Sequence, residues 1–368
     1  MKPQHKHLLL LALLFIVSVS LFMSKPSRAQ TLTKQTALNH SISAVFVFGD
    51  STVDPGNNNY IETVFKSNFP PYGKDFPNHI ATGRFTNGRL VTDYMASYVG
   101  IKANVPPYLD STFSMEELMT GVSFASAASG FDPLTPQISG VISMTKQMEY
   151  FREYKARLEI GIGRKRTQNL IKNAAFFISA GTNDFVVNYF GPPVRRQSYT
   201  VLSYQQFLIQ QLLHFIQDLG DQGARKIAIV GLPPMGCLPA VITLYSNDLF
   251  HGRGCIESLS SIARDYNRML QNELLKVMTV GGPLIVYGDI YTPLIDMIQG
   301  RKYGFEEVNT GCCGTGFLEA SLLCNPKSIV CPDATKHVFW DSIHPTEKAY
   351  SIIFNSFRST IDYVLGIE

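Results

Sequence analysis

The chain has 368 residues, 45% hydrophobic and 17% charged, a balance that excludes a disordered protein and suffices for one large core or two modest domains. Its formal net charge of +3 resides at the start: without Lys2, Lys6, Lys25 and Arg28, 28 basic residues face 29 acidic ones. So even a balance argues against a nucleic-acid or anionic-lipid surface.

Residues 1–29 have the layout of a signal peptide. Lys2, Lys6 and His7 precede an apolar run over 8–23, and Ser27 and Ala29 stand in the spacing a signal peptidase accepts. Cleavage after Ala29 is expected. The competing signal anchor falls short of the roughly 20 apolar residues a spanning helix needs and is diluted by Ser18 and Ser20. A polar lead occupies 30–43 and holds Asn39-His-Ser41, the only N-glycosylation sequon.

From residue 44 to 368 the pattern is that of a single domain. Residues 44–49 form a short β-branched and aromatic run ending at Gly49, read as a buried strand that stops in a turn at Asp50-Ser51. The stretch 54–87 is rich in Asn, Gly and Pro and reads as a long irregular insertion. Its aromatics, Tyr60, Phe65, Phe69 and Tyr72, can line an acyl-binding wall or pack the insertion onto the sheet, and packing is the expectation. Strand-like and helix-like segments then alternate. Strands are expected at 121–126, 174–180, 226–230 and 284–288, and helices at 89–98, 136–158, 204–219, 258–280 and 347–364. Five short apolar strands separated by helices predict an α/β fold with a mostly parallel five-stranded sheet covered on both faces. Active groups should then lie beyond the carboxyl ends of the strands.

Six cysteines, Cys237, Cys255, Cys312, Cys313, Cys324 and Cys331, fit three disulfides in a chain entering an oxidising compartment. Cys237 is expected to pair with Cys255, leaving the other four to pair among themselves. A zinc site is the alternative. Against it, Cys312 and Cys313 are adjacent and no Cys-x-x-Cys pair occurs, so no metal and no cofactor is expected.

Four clusters fall after strands or at the entry to the last helix. At Gly49-Asp50-Ser51, a serine hydroxyl can be presented at the sheet edge with its own amide aimed at a developing oxyanion, although Asp and Ser are equally suited to a helix N-cap. In Phe124-Ala-Ser-Ala-Ala-Ser-Gly130, small residues let backbone approach a ligand, or simply pack closely under a helix, and Gly130 can offer an amide. After 176–180, Asn183 can donate its side-chain amide to an oxyanion or hold a turn. In Asp341-Ser-Ile-His344, one helical turn would place carboxylate and imidazole on one face, with Phe339 and Trp340 shielding them. The alternative is a surface pair before a helix beginning at Pro345. Each cluster alone has a bland explanation, but the four together supply every role that acyl transfer needs.

At these clusters the sequence resembles the plant GDSL esterase/lipase family of the SGNH hydrolase superfamily. The resemblance spans nearly all of the chain after 43, through Phe46-Val-Phe-Gly-Asp-Ser51, Asp54-Pro-Gly-Asn-Asn-Asn59, Pro71-Tyr-Gly73, Gly83-Arg-Phe-Thr-Asn-Gly88, Leu232-Pro-Pro-Met-Gly-Cys237, Cys312-Cys-Gly314 and the run from Asp341 to Thr346. It implies a three-layer α/β/α sandwich of flavodoxin-like type and a secreted serine ester hydrolase of the apoplast or cell wall. Its substrates would be small-molecule or lipid esters, including acylated plant metabolites. Carried over by position, Ser51 is the nucleophile, His344 the general base and Asp341 its orienter, with Ser51, Gly130 and Asn183 forming the oxyanion hole. An acyltransferase using a hydroxyl acceptor is the alternative outcome, and a binding protein without turnover a more remote one. The chain departs from the family pattern in two places: Thr52 stands where the family has Leu, and in the second block Ser123 stands where it usually has Asn, with Ala127-Ala128 where others often have glycine. Ser123 can still donate a hydrogen bond, so loss of some local support rather than of the oxyanion hole is expected.

Overall fold

The computed structural model describes residues 42–246, 252–278, 282–300 and 303–365. The expected signal peptide at 1–29, Asn39 and the polar lead up to 41 lie outside them. Four parallel strands form the central sheet in the order β1 (Val45–Gly49), β2 (Ala175–Ser179), β3 (Lys226–Val230), β4 (Leu284–Gly288). Register runs from Val45 opposite Ala175 to Gly49 opposite Ser179, and on through Ile227 opposite Phe176 and Ile285 opposite Ile227.

The strands are apolar on both faces because both faces are covered. Phe46, Phe48, Phe176, Ile178, Ile227 and Ile229 belong to a core shared with α2 (Met144–Ile162), α3 (Arg164–Asn173), α4 (Val201–Gln222) and α5 (Glu257–Met278). Val45, Val47, Phe177 and Val230 face a second core with α1 (Val91–Tyr98), α6 (Tyr291–Gln299) and α7 (Glu347–Leu365). This is the expected three-layer α/β/α sandwich.

The fifth expected strand is the correction. Residues 121–126 run parallel beside β1, with Val47 donating to Val122, Phe124 to Val47 and Ser126 to Gly49, yet only Ser123 completes a bridge. At one end Gly121 has φ +95°, and at the other the Gly49 amide is diverted to the Gln147 side chain at 2.8 Å, so the ladder closes at neither end. Counting this edge segment, the spatial order is second, first, third, fourth, fifth along the chain, the flavodoxin-like order, whose switch point lies at β1.

The helix expected at 136–158 is two, Leu134–Ser139 and α2, divided where Gly140 turns left-handed at φ +63°. Helix α3, not among the expected helices, lacks the apolar stripe of the others, since most of its ten residues are charged or polar and only Thr167 and Ile171 are buried. A small parallel pair, β5 (Glu307–Gly311) and β6 (His337–Phe339), was also unforeseen. Cys237 pairs with Cys255 as expected, and the others pair as Cys312–Cys331 and Cys313–Cys324. The last two bridges share a third apolar cluster with Tyr72, Phe85 and Trp340.

Candidate active site

The nucleophile candidate lies where β1 leaves the sheet. Gly49 has φ +139°, and a Cβ there would stand 1.8 Å from the Ser179 carbonyl oxygen, so only glycine lets the chain pass and turn. Asp50 donates its amide to Ser179, Val53 closes the turn on the Asp50 carbonyl, and no α-helix follows for Ser51 to cap. Instead the Ser51 Oγ lies 2.8 Å from His344 Nε2. The Asp50 carboxylate accepts the Thr52 amide and hydroxyl at 2.9 and 2.7 Å, and the same hydroxyl lies 2.9 Å from Ser179 Oγ. Thr52 thus ties the nucleophile turn to the end of β2, which leucine could not do. Burial raises the Asp50 carboxyl to about 6, against the lowering effect of the Thr52 bonds and of nearby His344.

Asp341 and His344 meet, but not on a helical turn. The chain from Val338 to Thr346 is a tight loop closed by Trp340 N–H to the His344 carbonyl at 2.7 Å and Thr346 N–H to Val338 at 2.9 Å. At its tip Asp341 Oδ1 accepts the amides of Ile343 and His344, an Asx-type turn that folds the carboxylate back on the imidazole. His344 Nδ1 lies 2.7 Å from Asp341 Oδ2 and 2.9 Å from Oδ1. A carboxylate only accepts, so Nδ1 carries the ring proton and Nε2 is free to accept from Ser51. Relative exposures of 7% for Ser51, 4% for His344 and 0% for Asp341 keep the relay out of bulk water, where its hydrogen bonds are strongest.

The shielding also differs from expectation. Trp340 is buried beside Tyr72, but Phe339 points into the second core, and the ring over the imidazole is Phe85, 4.9 Å away between centroids.

Gly130 follows the edge segment and Asn183 follows β2, and the two are brought together through Ser129 and Asp184. Neither the Ser51 nor the Gly130 amide donates to a protein acceptor among the described residues. A Cβ on Gly130 would lie 2.3 Å from Asp184 Oδ1. That buried carboxylate organises the loop, accepting the amides of Phe131 and Asp132 and the Thr135 hydroxyl at 2.8, 3.0 and 2.5 Å. Burial raises it to about 7. Asn183 Nδ2 donates one hydrogen to the Ser129 carbonyl at 2.9 Å, and an amide nitrogen has two.

The sequence reading missed what holds these groups. Tyr72, at 1% exposure, donates to Asp341 Oδ2 at 2.8 Å and accepts the Ser321 amide at 2.8 Å. Burial and the Asp341 charge raise the Tyr72 hydroxyl well above its ordinary 10, so it remains a donor. Of the other insertion aromatics, Phe65 and Phe69 pack against the third cluster while Tyr60 is exposed, so packing accounts for three of the four. The Asn run is a clamp: Asn57 Nδ2 donates to the Ser123 and Ala125 carbonyls, Asn58 bonds Ser126 and Ala127, and Asp54 accepts the Ala127 amide. Ser123 donates to the Val53 carbonyl at 3.1 Å, the hydrogen bond its hydroxyl was expected to retain. The density of Asn beside Pro and Gly was the available signal; its partners were not.

A model of the GDSL-like Lipase/Acylhydrolase family matches residues 45–357. Among proteins of Arabidopsis thaliana, the chain is 56% identical over 345 residues to GDSL esterase/lipase At5g45960, covering 92% of each chain. It is 41% identical over 361 residues to GDSL esterase/lipase At1g06990, covering 98% of this chain and all of the relative. Against GDSL esterase/lipase APG it is 46% identical over 323 residues, covering 87% and 91%.

Proposed function

Because the chain belongs to the GDSL-like lipase/acylhydrolase family, we propose that it hydrolyses carboxylic esters through an acyl-enzyme on Ser51. The observation that carries this reading is the unbroken line from Ser51 Oγ through the His344 ring to Asp341, at 2.8 and 2.7 Å.

His344 Nε2 takes the Ser51 proton as Oγ bonds the ester carbonyl carbon. The negative carbonyl oxygen is received by the Ser51 and Gly130 amides and by the second hydrogen of Asn183 Nδ2. As the carbon–oxygen bond to the alcohol breaks, His344 returns the proton to the departing oxygen, leaving the acyl group on Ser51. Water then repeats the sequence with the same base, releasing the acid and restoring the serine. Asp341 holds the ring tautomer and faces the imidazolium formed at each step.

Support for secretion comes from the layout of 1–29 together with three disulfides, which persist in oxidising compartments. Within this reading Asn39 carries an N-glycan and the mature protein works outside the cell on small-molecule or lipid esters. Among the described residues no helix is long and apolar enough to cross a membrane.

The test is to label the purified protein with a fluorophosphonate, map the adduct, and compare hydrolysis of short and long p-nitrophenyl esters before and after Ser51→Ala. An adduct on Ser51 with activity lost in the variant is expected. Absence of an adduct, or unchanged hydrolysis in Ser51→Ala, overturns the reading. Adding alcohols to the assay and identifying the products separates transfer to water from transfer to a hydroxyl.

A further inference from the structure

Gln147 is fully buried and takes no part in the acyl-transfer steps above. Its side-chain amide lies flat against one backbone residue: Oε1 accepts the Gly49 amide at 2.8 Å, and Nε2 donates to the Gly49 carbonyl at 2.9 Å. Here the ladder between β1 and the edge segment ends, and the glutamine supplies the acceptor that the Gly49 amide lacks, together with a second donor to a carbonyl that already accepts the Ser126 amide. The same Nε2 lies 3.5 Å from the Ser129 hydroxyl.

The neighbours of these contacts give them meaning. Ser51 follows Gly49 by two residues and Gly130 follows Ser129 by one, while the Ser129 carbonyl takes the Asn183 side chain at 2.9 Å. One side chain therefore holds the Gly49 backbone, two residues ahead of Ser51, and lies 3.5 Å from the Ser129 hydroxyl, one residue ahead of Gly130, and from the Ile142 carbonyl, while the Ser129 carbonyl in turn holds the third donor. Its own mount is rigid. Gln147 stands in the first turn of α2, where its amide bonds the Ser143 carbonyl at 2.9 Å and Ser143 Oγ caps Lys146, with Met144, Met148 and Phe151 buried in the core.

We propose that Gln147 is a positioning residue, which sets the spacing of the Ser51 and Gly130 amides so that both converge on one oxyanion. The proposal rests on the Ser51 acyl-enzyme reading. Because an oxyanion hole acts through donors already in place, an error of a few tenths of an ångström between two amides is felt in turnover more than in binding.

The test compares Gln147→Met and Gln147→Glu with the wild-type protein, measuring kcat, KM, melting temperature and circular dichroism across pH. Gln147→Met removes both hydrogen bonds at similar volume, and kcat should fall about 10-fold or more while KM stays within about twofold. Ionised glutamate keeps the acceptor but turns a charge on the Gly49 carbonyl; protonated glutamic acid again offers one donor and one acceptor. The kcat of Gln147→Glu relative to wild type at the same pH should therefore rise as pH is lowered, whereas the Gln147→Met ratio stays flat. A kcat within twofold of wild type, a loss that only tracks the unfolded fraction, or a flat ratio for Gln147→Glu overturns the proposal. Should Gln147→Met fail to fold, the pH ratio of Gln147→Glu decides alone. Wild-type activity that vanishes in Ser51→Ala while both Gln147 variants remain normal removes the positioning role only. Wild-type protein without Ser51-dependent activity removes both readings.

Discussion

The two sides of the site are built by different means. On the side of the proposed nucleophile, Ser51, Gly130 and Asn183 follow the carboxyl ends of adjacent parallel segments, and their placement comes from sheet register and from glycines that admit close approach. On the base side, Asp341 and His344 sit on a loop beyond the small second sheet, held by side chains distant in sequence: Tyr72 and Phe85 from the insertion, Thr86 on the Pro345 carbonyl, and Asn87 on the Glu347 amide. A sheet edge positions groups through its backbone, whereas a loop needs tethers. The long insertion is that tether.

Each side of the site can be disabled separately. The largest expected effect is that of Ser51→Ala, about 10⁴-fold or more in kcat with an unchanged melting curve, because nothing in the sheet depends on its hydroxyl. Asn183→Ala should cost about 100- to 1000-fold in kcat, the usual loss for one oxyanion donor, read from p-nitrophenyl ester hydrolysis at saturating substrate. On the base side, Tyr72→Phe removes one hydrogen bond to the charged Asp341 and should lower kcat about 10-fold with little change in KM. A Tyr72→Phe enzyme with normal turnover would show that the loop needs no tether. Replacing Cys313 and Cys324 together by serine should cost about 3 kcal/mol of stability by chemical denaturation. It should also lower kcat by a smaller factor than Tyr72→Phe, because Ser321, which feeds the Tyr72 hydroxyl, lies between these cysteines.

The smallest effect concerns pH. Burial raises the Asp50 carboxyl from 3.8 to about 6. Between those values the unfolded chain has released a proton that the folded protein keeps, so this group makes stability fall as pH rises through the window. Asp50→Asn lacks that component. Its melting temperature relative to wild type should therefore climb from pH 4 to pH 6, and a constant difference would argue against a neutral Asp50 in the folded protein.

Much of this molecule is local. The apolar runs of β1 to β4 announce buried parallel strands, the long amphipathic helices α4, α5 and α7 show their period, and Ser51, Gly130, Asn183, Asp341 and His344 stand in short motifs that follow strands or lead into the last helix. Cys237 with Cys255 was expected as a pair, whereas the pairing of the other four cysteines was left open and came only with the fold. The Asp341–His344 pair was legible as a pair but not in its geometry, since an Asx turn and a helical turn both bring together residues three apart. What the tertiary structure alone decided is which distant groups answer local demands. Gly49 needs a partner for its peptide group and receives the side chain of Gln147, 98 residues on; Asp341 needs a second donor and receives Tyr72, 269 residues before it. No period or spacing encodes such pairings. A buried polar group must be satisfied by whatever the packing of the layers brings within reach.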